Sequence, residues 1–143
     1  MKPYSKDNAD IIQFLIDERI AQGISIRALA SKCHVYPNQI NQVLAVDHSP
    51  KIDTLVKLGN SLGVTFSTSN SKFYSHNADE LIEVLAQARK DQGITTRELS
   101  AMTGIVLPSI CGILSHKITP ILDTYLKIAS ALGIELQLYS VRK

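Results

Sequence analysis

Residues 24–44 read ISIRALASKCHVYPNQINQVL, and residues 94–114 read ITTRELSAMTGIVLPSICGIL. The two stretches share one punctuation. A hydroxyl residue, Ser25 or Thr95, stands where its side-chain oxygen can cap the first turn of a short helix. An inward Leu29-Ala30 or Leu99-Ser100 pair follows, then a tight turn and an apolar Val35 or Ile105. A second short helix carries Pro37 or Pro108 in its first turn. Its apolar residues recur at helical spacing: Ile40, Val43 and Leu44 in one stretch, Ile110, Ile113 and Leu114 in the other. This is a helix-turn-helix pattern, in which the first helix braces the second so that it can protrude into a DNA major groove.

The duplication extends outward from these stretches. Sliding the chain by 70 positions lays residues 12–64 on residues 82–134 with no gap. Identical pairs include Leu15/Leu85, Arg19/Arg89, Gln22/Gln92, Gly23/Gly93, Arg27/Arg97, Ile40/Ile110, Pro50/Pro120, Asp53/Asp123 and Gly63/Gly133. Lys2-Pro-Tyr4-Ser5 and Lys72-Phe-Tyr74-Ser75 also match, so the repeat begins before its first helix. Both copies are expected to share one fold, and what they share is architecture while their differences mark where function diverged.

Each copy reads as four helices and a strand. Ile11, Ile12, Leu15, Ile16 and Ile20 mark the first helix, and Gly23 ends it. Ser49-Pro50 opens the fourth helix and Gly63 closes it. The expected helices cover 8–22, 26–32, 37–45 and 50–62, then 78–92, 96–102, 107–115 and 120–132. Val64 and Phe66 alternate with Thr65 and Ser67, and Ile134, Leu136 and Leu138 with Glu135 and Gln137, so 64–68 and 134–140 read as strands. A lone strand leaves its backbone groups without partners. The two are therefore expected to pair, tying domain 1 (1–70) to domain 2 (71–143) across a pseudo-twofold, with the polar run 67–71 as linker.

Composition narrows the function classes. The 143 residues are 45% hydrophobic and carry a net charge of +2. Residues 1–70 hold seven basic and six acidic side chains, and residues 71–143 hold eight and seven, so neither half is strongly basic. A unit of roughly 70 residues is marginal alone, and two gain by packing together. Cys33 and Cys111 do not align and form no metal pattern, as expected of free thiols in a reducing cytoplasm. No apolar run suits a bilayer and the N-terminal residues begin no signal peptide, so no membrane is expected. There is no GxSxG, Walker loop or HExxH, and His34, His48, His76 and His116 are scattered. The expectation is no enzyme, no cofactor and no metal. Gly59 and Gly112, lacking a nucleotide-binding context, read as positions of close packing or of local tolerance.

The chain resembles the Cro and XRE family of phage-repressor-like helix-turn-helix proteins, and its second copy is most similar to HipB-type antitoxins. The residues that carry this are Lys72-Phe-Tyr74-Ser75, Arg89, Gly93, Thr95, Glu98-Leu99, Gly104-Ile105, Ile110, Leu122, Thr124, Lys127-Ile128, Leu132 and Glu135–Leu138. The resemblance implies a mainly α fold of two tandem helix-turn-helix domains, each of four helices and a short C-terminal strand. In HipB-like proteins two subunits pair through such strands, so one chain would equal a fused dimer. Three departures stand out. His34 replaces the turn glycine that the second copy keeps as Gly104. Leu44 and Leu114 occupy the place of the glutamate that pairs with the first-helix arginine in the family, leaving Asp53 and Asp123 as candidate partners for Arg19 and Arg89. Ile26 and Thr96 stand where family members often place a glutamine that meets phosphate and bases.

The third helices differ most between the copies. At 100° per residue, the face opposite Ile40, Val43 and Leu44 carries Asn38, Asn41, Gln42 and Ala45. Asn and Gln amides bond adenine bidentately in the major groove. The same face of copy 2 carries Pro108, Cys111, Gly112 and Ser115, with Val106 and Leu107 at its entrance. An apolar exposed face suggests a protein contact. The candidate DNA-contacting set is Asn38, Gln39, Asn41 and Gln42 with Arg27 and Lys32 in copy 1, and Arg97 and Ser109 in copy 2. The leading expectation is a cytoplasmic, sequence-specific transcriptional regulator, a repressor, bound to double-stranded DNA. The alternatives are an antitoxin-like protein that neutralises a toxin such as a HipA-like kinase through domain 2, and an interaction module without DNA binding. A homodimer meeting through Val106 and Leu107 is a further expectation.

Overall fold

The computed structural model describes residues 8–44, 49–69 and 77–140. Copy 1 contains α1 (Asn8–Gln22), α2 (Ile26–Cys33), α3 (Pro37–Val43), α4 (Ile52–Ser61) and β1 (Val64–Thr68). Copy 2 contains α5 (Ala78–Gln92), α6 (Thr96–Thr103), α7 (Leu107–Leu114), α8 (Leu122–Ala131) and β2 (Leu136–Ser140). The chain is thus mainly helical with a small two-stranded sheet, and no single described helix is long and apolar enough to cross a membrane. The repeat segments at 2–5 and 72–75, with Ala45, His48 and His76, lie outside the described residues.

The strands pair antiparallel within the chain, Val64 opposite Ser140 and Thr68 opposite Leu136. Their register places Ser67 opposite Gln137, and these are equivalent residues under the 70-position shift. A second contact does the same: Lys51 forms an isolated antiparallel bridge with its own equivalent, Ile121. Its two hydrogen bonds are reciprocal, Ile52 N–H donating to the Pro120 carbonyl at 3.0 Å and Leu122 N–H to the Pro50 carbonyl at 2.7 Å. A contact between equivalent residues lies on a local twofold axis. The axis therefore runs through the 51–121 bridge and the 67–137 pair.

That bridge shortens both fourth helices. They begin at Ile52 and Leu122, two residues later than expected, because Lys51 and Ile121 are held extended to meet each other. The second strand starts at Leu136 rather than 134, because Ile134 N–H still closes onto the Ala129 carbonyl at 2.8 Å. α3 ends at Val43 and α7 at Leu114, with Leu44 and Ser115 as caps. Alternation along β1 also breaks down. Val64 and Phe66 are buried as expected, but so are Ser67 and Thr68, because β1 lies against α4 of its own copy and α5 of the other.

One hydrophobic core spans both copies, from Ile11, Ile12 and Leu15 in α1 to Leu126 and Ile128 in α8. Polar residues shared by the copies hold equivalent places. Gln22 donates to the Leu62 carbonyl at 2.6 Å and Gln92 to that of Leu132 at 2.7 Å, fastening each first helix to the end of its fourth. Arg19 and Arg89 do not pair with Asp53 and Asp123. Each sends Nη1 to a backbone carbonyl, of Ile24 and Ile94, at 2.8 Å, and each Nε is buried without a hydrogen-bond partner. Asp53 instead accepts the Thr54 N–H and Asp123 meets Lys127. Both aspartates are engaged within their own fourth helices, so the missing glutamates are not replaced. Tyr125, where copy 1 has Leu55, is fully buried, and its hydroxyl donates to the Leu81 carbonyl at 3.0 Å.

Core differences between the copies are matched to one another. A Cβ on Gly59 would lie 2.5 Å from the Phe66 ring. Copy 2 has Ala129 and Leu136 at these positions, both buried, a larger helix residue combined with a smaller strand residue. Gly59→Ala should therefore destabilise the protein by about 1–3 kcal/mol through overpacking. Adding Phe66→Leu should recover at least ~1 kcal/mol of that loss, a coupling that a denaturant-unfolding double-mutant cycle measures.

Candidate nucleic-acid interface

α2 forms because Ser25 caps it: the Ser25 hydroxyl accepts the Ala28 N–H at 3.0 Å. Its inner face buries Leu29, Ala30 and Cys33, and the Cys33 thiol donates to the Ser61 hydroxyl at 3.1 Å. The helix ends at His34, which adopts the left-handed conformation with φ 58°. Tyr36 N–H then donates to Oε1 of Gln39 at 3.0 Å, and Pro37 opens α3 with its fixed φ. Ile40 and Val43 anchor α3 in the core.

This anchoring leaves one face of α3 outward. Asn38, Asn41 and Gln42 are exposed on it, and Arg27 and Lys32 are exposed on α2 beside it. Five of the six copy 1 candidates are thus exposed with no capping role. Gln39 is also exposed, but its carbonyl oxygen is used in capping α3. Carboxamides on a rigid helix, flanked by cations, can meet base edges and phosphates in the same approach.

Copy 2 repeats the backbone but not the chemistry. Thr95 and Glu98 cap α6 reciprocally, each side chain accepting the other's N–H at 3.0 Å. The Thr95 backbone N–H, and then its side chain, hold the Glu98 carboxyl below its usual range. α6 ends at Gly104 with φ 76°, and α7 leaves it at 117°. Arg97 is exposed and Ser109 half-buried. The outer face is apolar: Val106 is 66% exposed and Met102 54%. Cys111 is an exposed free thiol and Cys33 a buried one.

Gly112, the equivalent of Gln42, is covered. The loop after α7 folds back so that Lys117 and Ile118 N–H groups donate to the Gly112 carbonyl at 2.9 and 3.1 Å. The Ile118 side chain then occupies the space a Cβ at 112 would need. His116, left-handed at φ 66°, fastens the loop to α5, its ring nitrogens 3.3 Å from Asp79 and 3.2 Å from Glu83. The sequence left Gly112 between close packing and local tolerance, and the structure shows close packing, against Ile118; the sequence gave no sign of the role of His116, whose partners lie more than thirty residues away. Among the described residues no group of His, Cys, Asp and Glu is arranged to hold a metal ion.

Comparison with known proteins finds no matching family model, curated protein or solved structure.

Two local devices are testable. His34→Gly should stabilise the protein by about 0.5–1 kcal/mol in thermal unfolding, since glycine takes the left-handed turn without the Cβ cost. Glu98 is stabilised in its charged form, so its contribution is present above the ordinary carboxyl value of 4.5 and is lost as the pH falls through the lowered folded value. Glu98→Gln should flatten that part of the stability profile between pH 5 and pH 2, read by circular dichroism.

Proposed function

We propose that the protein is a sequence-specific DNA-binding transcriptional regulator, acting as a repressor in the cytoplasm. In this reading residues 1–70 and 71–143 are tandem phage-repressor-like helix-turn-helix domains. The observation that carries it is the outer face of α3: Asn38, Asn41 and Gln42 exposed in a row, with Ile40 and Val43 locked in the core behind them. α3 enters the major groove, and Asn38 and Gln42 form bidentate hydrogen bonds to adenine edges. Arg27 and Lys32 meet the flanking phosphates and set register. Occupancy of the operator excludes the transcription machinery, which needs no catalytic group.

A second reading is supported by one observation, the apolar surface of copy 2. Val106, Met102 and Ile118 are exposed at 66%, 54% and 44%. Such a patch suits a protein partner: a toxin of the HipA-like kinase type, as the HipB resemblance implies, or a second copy of this chain. Either partner is compatible with DNA binding through copy 1.

Fluorescence anisotropy on a selected duplex tests the leading reading. Asn38→Ala and Gln42→Ala should each weaken binding by about 1–3 kcal/mol and relax preference at one base pair. Arg27→Ala and Lys32→Ala should weaken binding to all duplexes alike and lower the salt slope by about one. Cys111→Ala and Ser115→Ala should change little. Affinity for no duplex, even at low salt, would leave the interaction-module reading.

A further inference from the structure

We infer that the target is an asymmetric duplex: one chain spans two half-sites, of which only the half under copy 1 carries sequence information. This rests on the DNA-binding reading above and specifies its substrate. The 51–121 bridge and the 67–137 pair relate the copies within one chain, so α7 stands to the axis as α3 does. In the arrangement inferred, a duplex whose local dyad meets that axis receives both helices in successive major grooves, about one helical turn apart.

The two helices offer it different chemistry. Asn38, Asn41 and Gln42 correspond to Pro108, Cys111 and Gly112, and Lys32 corresponds to Met102. Each change removes a strong hydrogen-bonding group. At 112 the loss goes beyond the residue type, because Ile118 fills the position that a reading side chain would use. The loop that carries Ile118 is held by two backbone hydrogen bonds to Gly112 and by His116 between Asp79 and Glu83. The obstruction is part of the folded structure. What copy 2 keeps is suited to the phosphate backbone: Arg97, identical to Arg27, with Ser109 and the exposed Lys117. Phosphate contacts position a protein without carrying sequence information. Val106 and Ile118 add only apolar contact, which discriminates weakly and at best favours thymine methyl groups.

Selection of bound duplexes from a random library with the full chain should yield one information-rich half-site. Hydroxyl-radical footprinting should show backbone protection over that half and over a second region about one turn away. Scrambling the informative half should weaken binding at least about tenfold. Scrambling the other half should cost less than about threefold, since only backbone contacts lie there. Asn38→Ala, checked for folding by circular dichroism, should lower base preference in the informative half alone. A palindromic motif with equal cost in both halves would overturn the inference and leave the DNA-binding reading intact. Protection confined to one half would also overturn it, placing copy 2 against a protein partner instead. Absence of any enriched sequence would remove the DNA-binding reading, and the inference with it.

Discussion

The antiparallel contact between equivalent residues is the constraint on which the molecule depends. A five-residue strand has no partner inside its own copy, and its amides would be buried unpaired in a core. Pairing β1 with β2 meets that need for both copies at once. The 51–121 bridge fixes a second point on the same axis, and two points define the axis. Each copy alone is near the lower limit at which a core sustains a fold. Together they share one continuous core, with β1 packed between α4 of its own copy and α5 of the other. This is why a serine and a threonine are buried in a strand whose pattern suggested one wet face.

Within that frame the copies have diverged in two ways. Inside, a change in one residue is met by a change in its neighbour. Gly59 admits the Phe66 ring, whereas Ala129 is combined with the smaller Leu136. Close packing imposes this, because a methyl group too many or too few is felt throughout an interior. The hydrogen bonds made by identical residues are kept in both copies, as with Gln22 to Leu62 and Gln92 to Leu132. On the outer faces of α3 and α7 the core imposes nothing, and there the copies differ almost completely. One face is a row of amides. The other is proline, cysteine and a glycine lying under Ile118. The scaffold is symmetric, and the surface it presents is not.

The sequence by itself determined the duplication, the element order and the pairing of the strands. These follow from local signals: helical and strand periodicities, capping hydroxyls, turn glycines and an ungapped 70-residue shift. It also placed Asn38, Asn41 and Gln42 outward, since the residues behind them repeat at helical spacing. Only the tertiary structure decided the rest. That Lys51 meets Ile121, and so trims both fourth helices, depends on two segments 70 positions apart. That Arg19 and Arg89 turn to the Ile24 and Ile94 carbonyls, while the aspartates meet groups of their own helices, depends on how the chain closes in three dimensions. That Ile118 closes over Gly112, the equivalent of Gln42, depends on a loop held to α5 by His116. Periodicity reports which face of a helix is buried. Which residue from elsewhere in the chain covers that face is set by long-range packing, and no local pattern encodes it.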